Sequence, residues 1–238
     1  MIFGAILAGG IGSRMHLGDM PKQFLPLGDK PIIIHTVEKF LACPDFDRIL
    51  IGVHPDWIGY CQDLLNKFVP FSADSLCIIP GGADRNGTIL NLVENLEQQY
   101  GESEDHIIVT HDSVRPFVSL RILQQNIKAA KIHGAVDTVI PAVDTIVASQ
   151  DQQWISSIPN RIEMYQGQTP QSFRMSLLKR LYLSLSQEEK EVLTDACKIC
   201  VVRNYPVNLV TGASTNLKIT TPGDYQIAQA IFERDLYD

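Results

Sequence analysis

Between Ile2 and Ala142 the chain alternates short, continuously apolar runs with longer stretches in which apolar positions return every three or four residues. The runs are Ile2 to Leu7, Arg48 to Val53, Leu76 to Ile79, His106 to Thr110 and Ala135 to Ala142. Runs of this length without polar alternation predict strands buried on both faces. The stretches between them predict amphipathic helices: Ile32 to Leu41, Asp56 to Phe68, Thr88 to Tyr100 and Leu120 to Ile132. Pro31 sits at a favoured first-turn position, and Gly134 supplies a stop. Strand and helix in this order predict an α/β fold, a Rossmann-like, mostly parallel sheet with helices on both faces and right-handed crossovers. Ligands of such sheets bind outside the carboxyl ends of the strands, so the loops at 8–22, 81–88 and 111–116 are expected to converge.

The pattern changes after Asp144. Thr145 to Ala148, Gln153 to Ile155 and Met164 to Thr169 are short β-prone runs separated by polar turns. They predict a protruding β-arm over about 145–169. An isolated hairpin is marginal in water, so the arm is expected to need a partner surface. Ser172 to Leu185 and Glu188 to Val202 return to helical spacing, with Ser186 as cap and Glu189 at the capping-box position. Asn208 to Val210 and Leu217 to Ile219 are expected to close the sheet, and Thr221-Pro222 to open a last helix running to about Arg234. Residues 1–238 are read as a single domain carrying the arm.

Composition narrows the partners. Hydrophobic residues make up 45% and charged residues 20%, as in an ordinary soluble globular protein. A formal net charge of −7 gives no reason to expect nucleic acid, so the cations that matter are placed locally. No apolar run approaches a membrane span, and residues 2–8 are too short for a signal peptide, which makes a cytoplasmic protein the expectation. The five cysteines lack framework spacing, and Cys197-x-x-Cys200 has no second pair at zinc-site distance, so reduced structural thiols are expected.

The candidate chemistry lies in three loops. Ala8-Gly9-Gly10-Ile11-Gly12-Ser13-Arg14-Met15 leaves the first strand and is followed by Pro21-Lys22. Its glycines let main-chain N–H groups approach an anion, and Arg14 and Lys22 add two permanent charges. The chain has no Gly-Lys pair for a Walker loop, and Met15 occupies the place of the last glycine of the dinucleotide pattern. A loop of this shape suits a nucleoside triphosphate. The second, Gly81-Gly82-Ala83-Asp84-Arg85-Asn86-Gly87-Thr88, is a candidate to read a base edge through backbone groups while Thr88 meets phosphate. The third, His111-Asp112-Ser113-Val114-Arg115-Pro116, puts an acid directly after a strand. Asp112 is a candidate for a magnesium ion or a ribose hydroxyl, Ser113 for a nucleotide contact, and Arg115 for a structural ion pair with Asp112.

The motifs L-A-G-G-x-G-x-R-M, P-K-Q, G-G-x-x-R, H-D-x-x-R-P, D-T, T-P-Q and N-x-K-I-T follow one another over nearly the whole chain. In that order they resemble the family of methylerythritol-phosphate and ribitol-5-phosphate cytidylyltransferases. The resemblance implies that Leu7, Ala8, Gly9, Gly10, the residues Gly82, Ala83, Asp84, Arg85, Asn86, Gly87 and Thr88, and Ser113 bind CTP. It implies that Arg14 and Lys22 stabilise the transition state and that Arg161 and Lys218 position the acceptor phosphate. It also implies Mg²⁺, a polyol phosphate acceptor, and a homodimer in which the arm completes the neighbour's site. Val143-Asp144-Thr145, Pro159-Asn160-Arg161 and the run Tyr165 to Gln171 look like the ribitol branch, whose product, CDP-ribitol, feeds wall teichoic acid or a similar surface polymer. The methylerythritol branch usually has a basic residue before its D-T, where this chain has Val143. The other readings are the methylerythritol enzyme of isoprenoid synthesis and, from a different class, a catalytically silent nucleotide-binding module. Two transition-state cations, Arg14 and Lys22, speak against silence.

Overall fold

The computed structural model describes residues 1–10, 20–69, 75–193 and 195–236. In chain order the elements are β1 (Ile2–Ala8), β2 (Pro26–Leu27), β3 (Lys30–Pro31), α1 (Ile32–Leu41), β4 (Arg48–Val53), α2 (Ile58–Phe68), β5 (Leu76–Pro80) and α3 (Arg85–Tyr100). There follow β6 (Ile107–Asp112), α4 (Leu120–His133), β7 (Ala135–Pro141), β8 (Tyr165–Arg174), α5 (Met175–Leu183), α6 (Gln187–Glu191), α7 (Cys197–Val202), β9 (Asn208–Thr211) and α8 (Pro222–Glu233). A seven-stranded sheet runs β5-β4-β1-β6-β8-β7-β9. β1 lies parallel to β4 and β6, β4 to β5, and β7 to β9; β8 alone is antiparallel to its neighbours. The expected mostly parallel sheet is what the chain forms.

Alternation along the strands divides the core into two layers. On one face Ile6, Ile49, Ile51 and Val109 pack with side chains of α1, α2 and α4. On the other, Phe3, Ala5, Leu50 and Ile108 pack with side chains of α3, α5 and α7. Each of the larger side chains, the Phe, Ile, Leu and Val, stabilises the fold by about 1.5–3 kcal/mol on leaving water. A third, smaller cluster joins Leu27, Ile32, Val114, Phe117 and Ile219 to Ala228 of α8. Local signals set the helix ends. Ser119 caps α4, and Gly134, at φ 83°, ends it in the left-handed region. Capping boxes open α6, from Ser186 and Glu189, and α8, from Thr221 and Asp224.

Four expectations need correction. Residues 164–174 do not divide between an arm and a helix; β8 is one ten-residue strand inserted between β6 and β7, and α5 starts at Met175. Most of its buried positions are polar, which disguised it, and several find partners in neighbouring elements. Thr110 Oγ1 donates to the Gln171 carbonyl at 2.9 Å, Ser172 Oγ to Asn126 Oδ1 at 3.1 Å, and Gln171 Nε2 to Asp137 Oδ1 at 3.1 Å. The stretch from Glu188 to Val202 splits into α6 and α7. Leu217 to Ile219 is not a strand: it crosses the end of the sheet, where Ile219 N–H donates to the Val114 carbonyl at 3.0 Å. The helix expected from Thr88 begins at Arg85, because Asp84 already caps it.

The arm, residues 142–164, carries one isolated bridge, between Ala148 and Ser157. Several of its large apolar side chains stand in solvent: Trp154 is 76% and Ile162 79% exposed. Among the described residues no helix is long and apolar enough to cross a membrane. All five cysteines are free thiols.

Candidate active site

A cavity of about 700 Å³ opens at the carboxyl ends of β1, β4, β5 and β6, where the three loops meet. The first loop supplies Leu7, Gly9, Gly10, Lys22 and Gln23 to its wall. Arg14 lies outside the described residues. Lys22 opens a single 3-10 turn, Lys22–Phe24, behind Pro21. Phe24 anchors that turn against Trp57 and Tyr60, with ring centroids 5.5 and 5.2 Å away. Gln23 is buried, and its amide nitrogen donates to the carbonyls of both Ala8 and Gly10 at 3.0 Å.

The second loop contributes Gly81, Gly82, Ala83, Asp84, Arg85 and Thr88. Asp84 Oδ1 accepts from Gly87 N–H at 2.7 Å, while Thr88 Oγ1 donates to the Asp84 carbonyl at 2.9 Å and accepts from Gly82 N–H at 3.0 Å. A Cβ on Gly82 would lie 2.5 Å from the Gly87 carbonyl carbon, so the turn closes only with glycine there. The N-terminus of α3 therefore faces the cavity with its positive dipole end. Asn86 and Gly87 are not among the residues lining the cavity. Asn86 is buried, the Gly87 N–H is taken up by the cap, and the Thr88 hydroxyl is already engaged. The cause is the early start of α3, which draws residues 86–88 into its first turns. Ala8, likewise, is buried and acts through its carbonyl.

The third loop brings Asp112, Ser113 and Val114. Asp112 faces three cations: Lys218 Nζ at 2.9 Å, Arg85 Nε at 3.4 Å and Arg115 Nε at 3.6 Å. Burial opposes its ionisation, but Arg85, Lys218 and Arg115 outweigh burial and hold the carboxyl well below the usual carboxylate range. Arg115 is indeed the structural partner expected for it, and its Nη1 also donates to the Asn216 carbonyl at 2.7 Å. Beneath Asp112 lies a buried relay. Asp112 N–H donates to Thr169 Oγ1 at 3.1 Å, and Thr169 Oγ1 pairs with His111 Nδ1 at 2.9 Å. His111 Nε2 meets the Arg115 carbonyl at 3.1 Å, and a carbonyl only accepts, so Nε2 carries the proton and Nδ1 accepts from Thr169. Burial pushes the His111 pKa down to about 4, which keeps the ring neutral. Asn216, fully buried, donates to the Thr169 carbonyl at 2.8 Å and to Gln168 Oε1 at 3.2 Å, fixing the segment that carries Lys218.

Lys22, Arg85 and Lys218 thus face the cavity with two acids, Asp84 and Asp112. Neither acid suits a protein-held metal: Asp84 caps α3, and both Asp112 oxygens face cations, so a divalent ion there would meet three positive charges. Among the described residues no group of three His, Cys, Asp or Glu side chains is arranged to hold a metal. In this structure Asp112 is the counter-ion of Arg85, Arg115 and Lys218. Arg161 does not line the cavity; it sits on the arm, where its Nη1 donates to the Val143 carbonyl at 3.0 Å. His54 and Pro55, at the end of β4, line the cavity and were missed, although the carboxyl-end rule points to them. Gln23, Thr169 and Asn216 were also missed as individual residues, though each falls inside a quoted motif.

The sequence model of the family described as IspD, 2-C-methyl-D-erythritol 4-phosphate cytidylyltransferase, matches residues 2–234. The chain is 52% identical over 235 residues to proteins of Streptococcus pneumoniae strains D39 and R6 named ribitol-5-phosphate cytidylyltransferase, covering 99% of this chain and 100% of theirs. Its fold is similar to a 4-diphosphocytidyl-2C-methyl-D-erythritol synthase of Anaerococcus prevotii, with TM-score 0.80, 26% identity and coverage of 98% and 96% of the two chains. It is also similar to a 2-C-methyl-D-erythritol 4-phosphate cytidylyltransferase of Thermus thermophilus, with TM-score 0.73, 26% identity and coverage of 98% and 100%.

Proposed function

The chain belongs to the 2-C-methyl-D-erythritol 4-phosphate cytidylyltransferase family, and within it we propose that the protein transfers CMP from CTP to D-ribitol 5-phosphate, giving CDP-ribitol and pyrophosphate. The full-length likeness to the pneumococcal ribitol-5-phosphate enzymes carries this choice of acceptor.

The chemistry follows from charge. A phosphate oxygen of the acceptor attacks the α-phosphorus of CTP, the bond from that phosphorus to the bridging oxygen breaks, and pyrophosphate leaves with the electron pair. A phosphate monoester is already ionised near neutral pH, so the reaction needs no general base; it needs positioning and positive charge. The glycine loops and the N-terminus of α3 hold the triphosphate. Lys22 and Arg14 meet charge developing at the α-phosphate. Lys218 exchanges its contact with Asp112 for the acceptor phosphate, and Asp112 keeps Arg85 and Arg115 in place meanwhile. Bound with CTP, Mg²⁺ would offset part of the triphosphate's charge, while Lys22, Arg14 and the N-terminus of α3 position it.

The exposed apolar arm supports a homodimer in which Arg161 reaches the neighbour's acceptor site. The enzyme works in the cytoplasm, and its product supplies activated ribitol phosphate to a surface polymer such as wall teichoic acid. The test is pyrophosphate release from CTP and Mg²⁺ with D-ribitol 5-phosphate or 2-C-methyl-D-erythritol 4-phosphate as acceptor. Release with the ribitol compound alone is expected. Release with the methylerythritol compound alone would reassign the acceptor, and release with neither, despite CTP binding, would leave a nucleotide-binding module.

A further inference from the structure

Gln23 lines the cavity beside Gly9 and Gly10 and has no role in the mechanism above. We infer that Gln23 is a positioning residue for CTP: its one amide group clamps both ends of the Ala8-Gly9-Gly10 turn and so sets the backbone donors that hold the triphosphate. The inference rests on the cavity being a CTP site, not on the identity of the acceptor.

The geometry is specific. Both hydrogen bonds from Gln23 Nε2, to Ala8 and to Gly10, are 3.0 Å long, and the side chain is 2% exposed. A primary amide has two N–H donors on one nitrogen, so one side chain satisfies two carbonyls that face the same way. In a trans peptide the N–H lies opposite the C=O. Holding the Ala8 carbonyl on Gln23 therefore turns the Gly9 N–H to the opposite side of the loop. Glycine at positions 9 and 10 leaves the turn many alternative conformations, and a fixed external clamp selects among them. The clamp is itself fixed, since Gln23 lies between Lys22 and Phe24 on the turn that packs on Trp57 and Tyr60. Lys22 and the glycine turn thereby share one anchor, so their spacing is set before the nucleotide arrives.

The test is titration of CTP into the whole protein by calorimetry, beside steady-state KM values for CTP and acceptor. Gln23→Met keeps the volume and removes both donors; Gln23→Asn keeps the amide on a stem one carbon shorter. Gln23→Met is expected to weaken CTP binding about 10- to 30-fold, the loss of two ordinary hydrogen bonds, with Gln23→Asn between it and the wild type. The KM of the acceptor is expected to stay within about twofold. Folded variants that bind CTP as tightly as the wild type would overturn the inference while leaving the CTP reading intact. So would KM values for CTP and acceptor rising together, or both variants failing to fold, since a general structural role predicts either. Wild-type protein that fails to bind CTP would overturn the inference and the reading beneath it together.

Discussion

At the nucleotide end of the cavity Gln23, Asp84, Thr88 and Asp112 all find partners within the chain, whereas from Val143 to Ile162 large apolar side chains stand exposed. The first region pairs its charged side chains within the chain. The second leaves large apolar side chains in solvent. The contrast separates a cavity whose charges are paired within the chain from an arm whose large apolar side chains the chain itself leaves uncovered.

The contrast can be broken or sharpened by substitution, the largest effects being expected at the compensated end. Asp112→Ala leaves Arg85, Arg115 and Lys218 facing one another and should cost about 3 kcal/mol or more of stability, read from denaturant unfolding at pH 7. The Asp112 pKa is depressed in the fold, so its contribution is present above the unfolded value and lost as pH falls towards the folded one. The gap between wild type and Asp112→Ala should therefore narrow on acidification, and a gap constant with pH would count against the counter-ion role. Lys22→Ala should reduce turnover on the order of 100- to 1,000-fold with unfolding midpoint nearly unchanged; normal turnover would remove Lys22 from the mechanism.

Asp137 works in the opposite direction. Burial raises its pKa to about 6, with Gln171 opposing, so its favourable contribution is present below the unfolded value and is lost as pH rises through 6. Asp137→Asn should raise the melting temperature by a few degrees at pH 8 and hardly at all near pH 4. An equal shift at both pH values would contradict this sign. The smallest effect on the fold belongs to the arm. Trp154→Ser should change monomer stability by less than about 0.5 kcal/mol, yet shift sedimentation towards the monomer. A Trp154→Ser protein that sediments unchanged would leave the exposed arm without its proposed partner.

β1 and β4 could be read from the sequence because their apolar side chains face both sides of the sheet, so composition alone announces burial. β8 could not. Gln168, Thr169, Gln171 and Ser172 are buried polar residues whose partners, Asn216, His111, Asp137 and Asn126, lie far away in sequence, and single-residue polarity reads such a strand as surface. The same limit governs the site. Lys22, Asp112 and Lys218 stand in motifs, and the structure brings all three to one cavity. The counter-ion role of Asp112 depends on Arg85, Arg115 and Lys218, a convergence that only the fold creates. Arg115 and Asp112, three residues apart, were close enough in sequence for their pairing to be foreseen.

The arm leaves the sheet from β7 and returns into the adjoining β8, and Ala142 N–H closes its base by donating to the Met164 carbonyl at 2.9 Å. A segment whose two ends are already hydrogen-bonded to each other is a cassette. Its length and sequence can change in evolution at little entropic cost to the scaffold, because closing a longer loop costs only about 0.6 kcal/mol per doubling. Residues 143–163 can therefore change in length or sequence as one unit with little cost to the sheet that carries them.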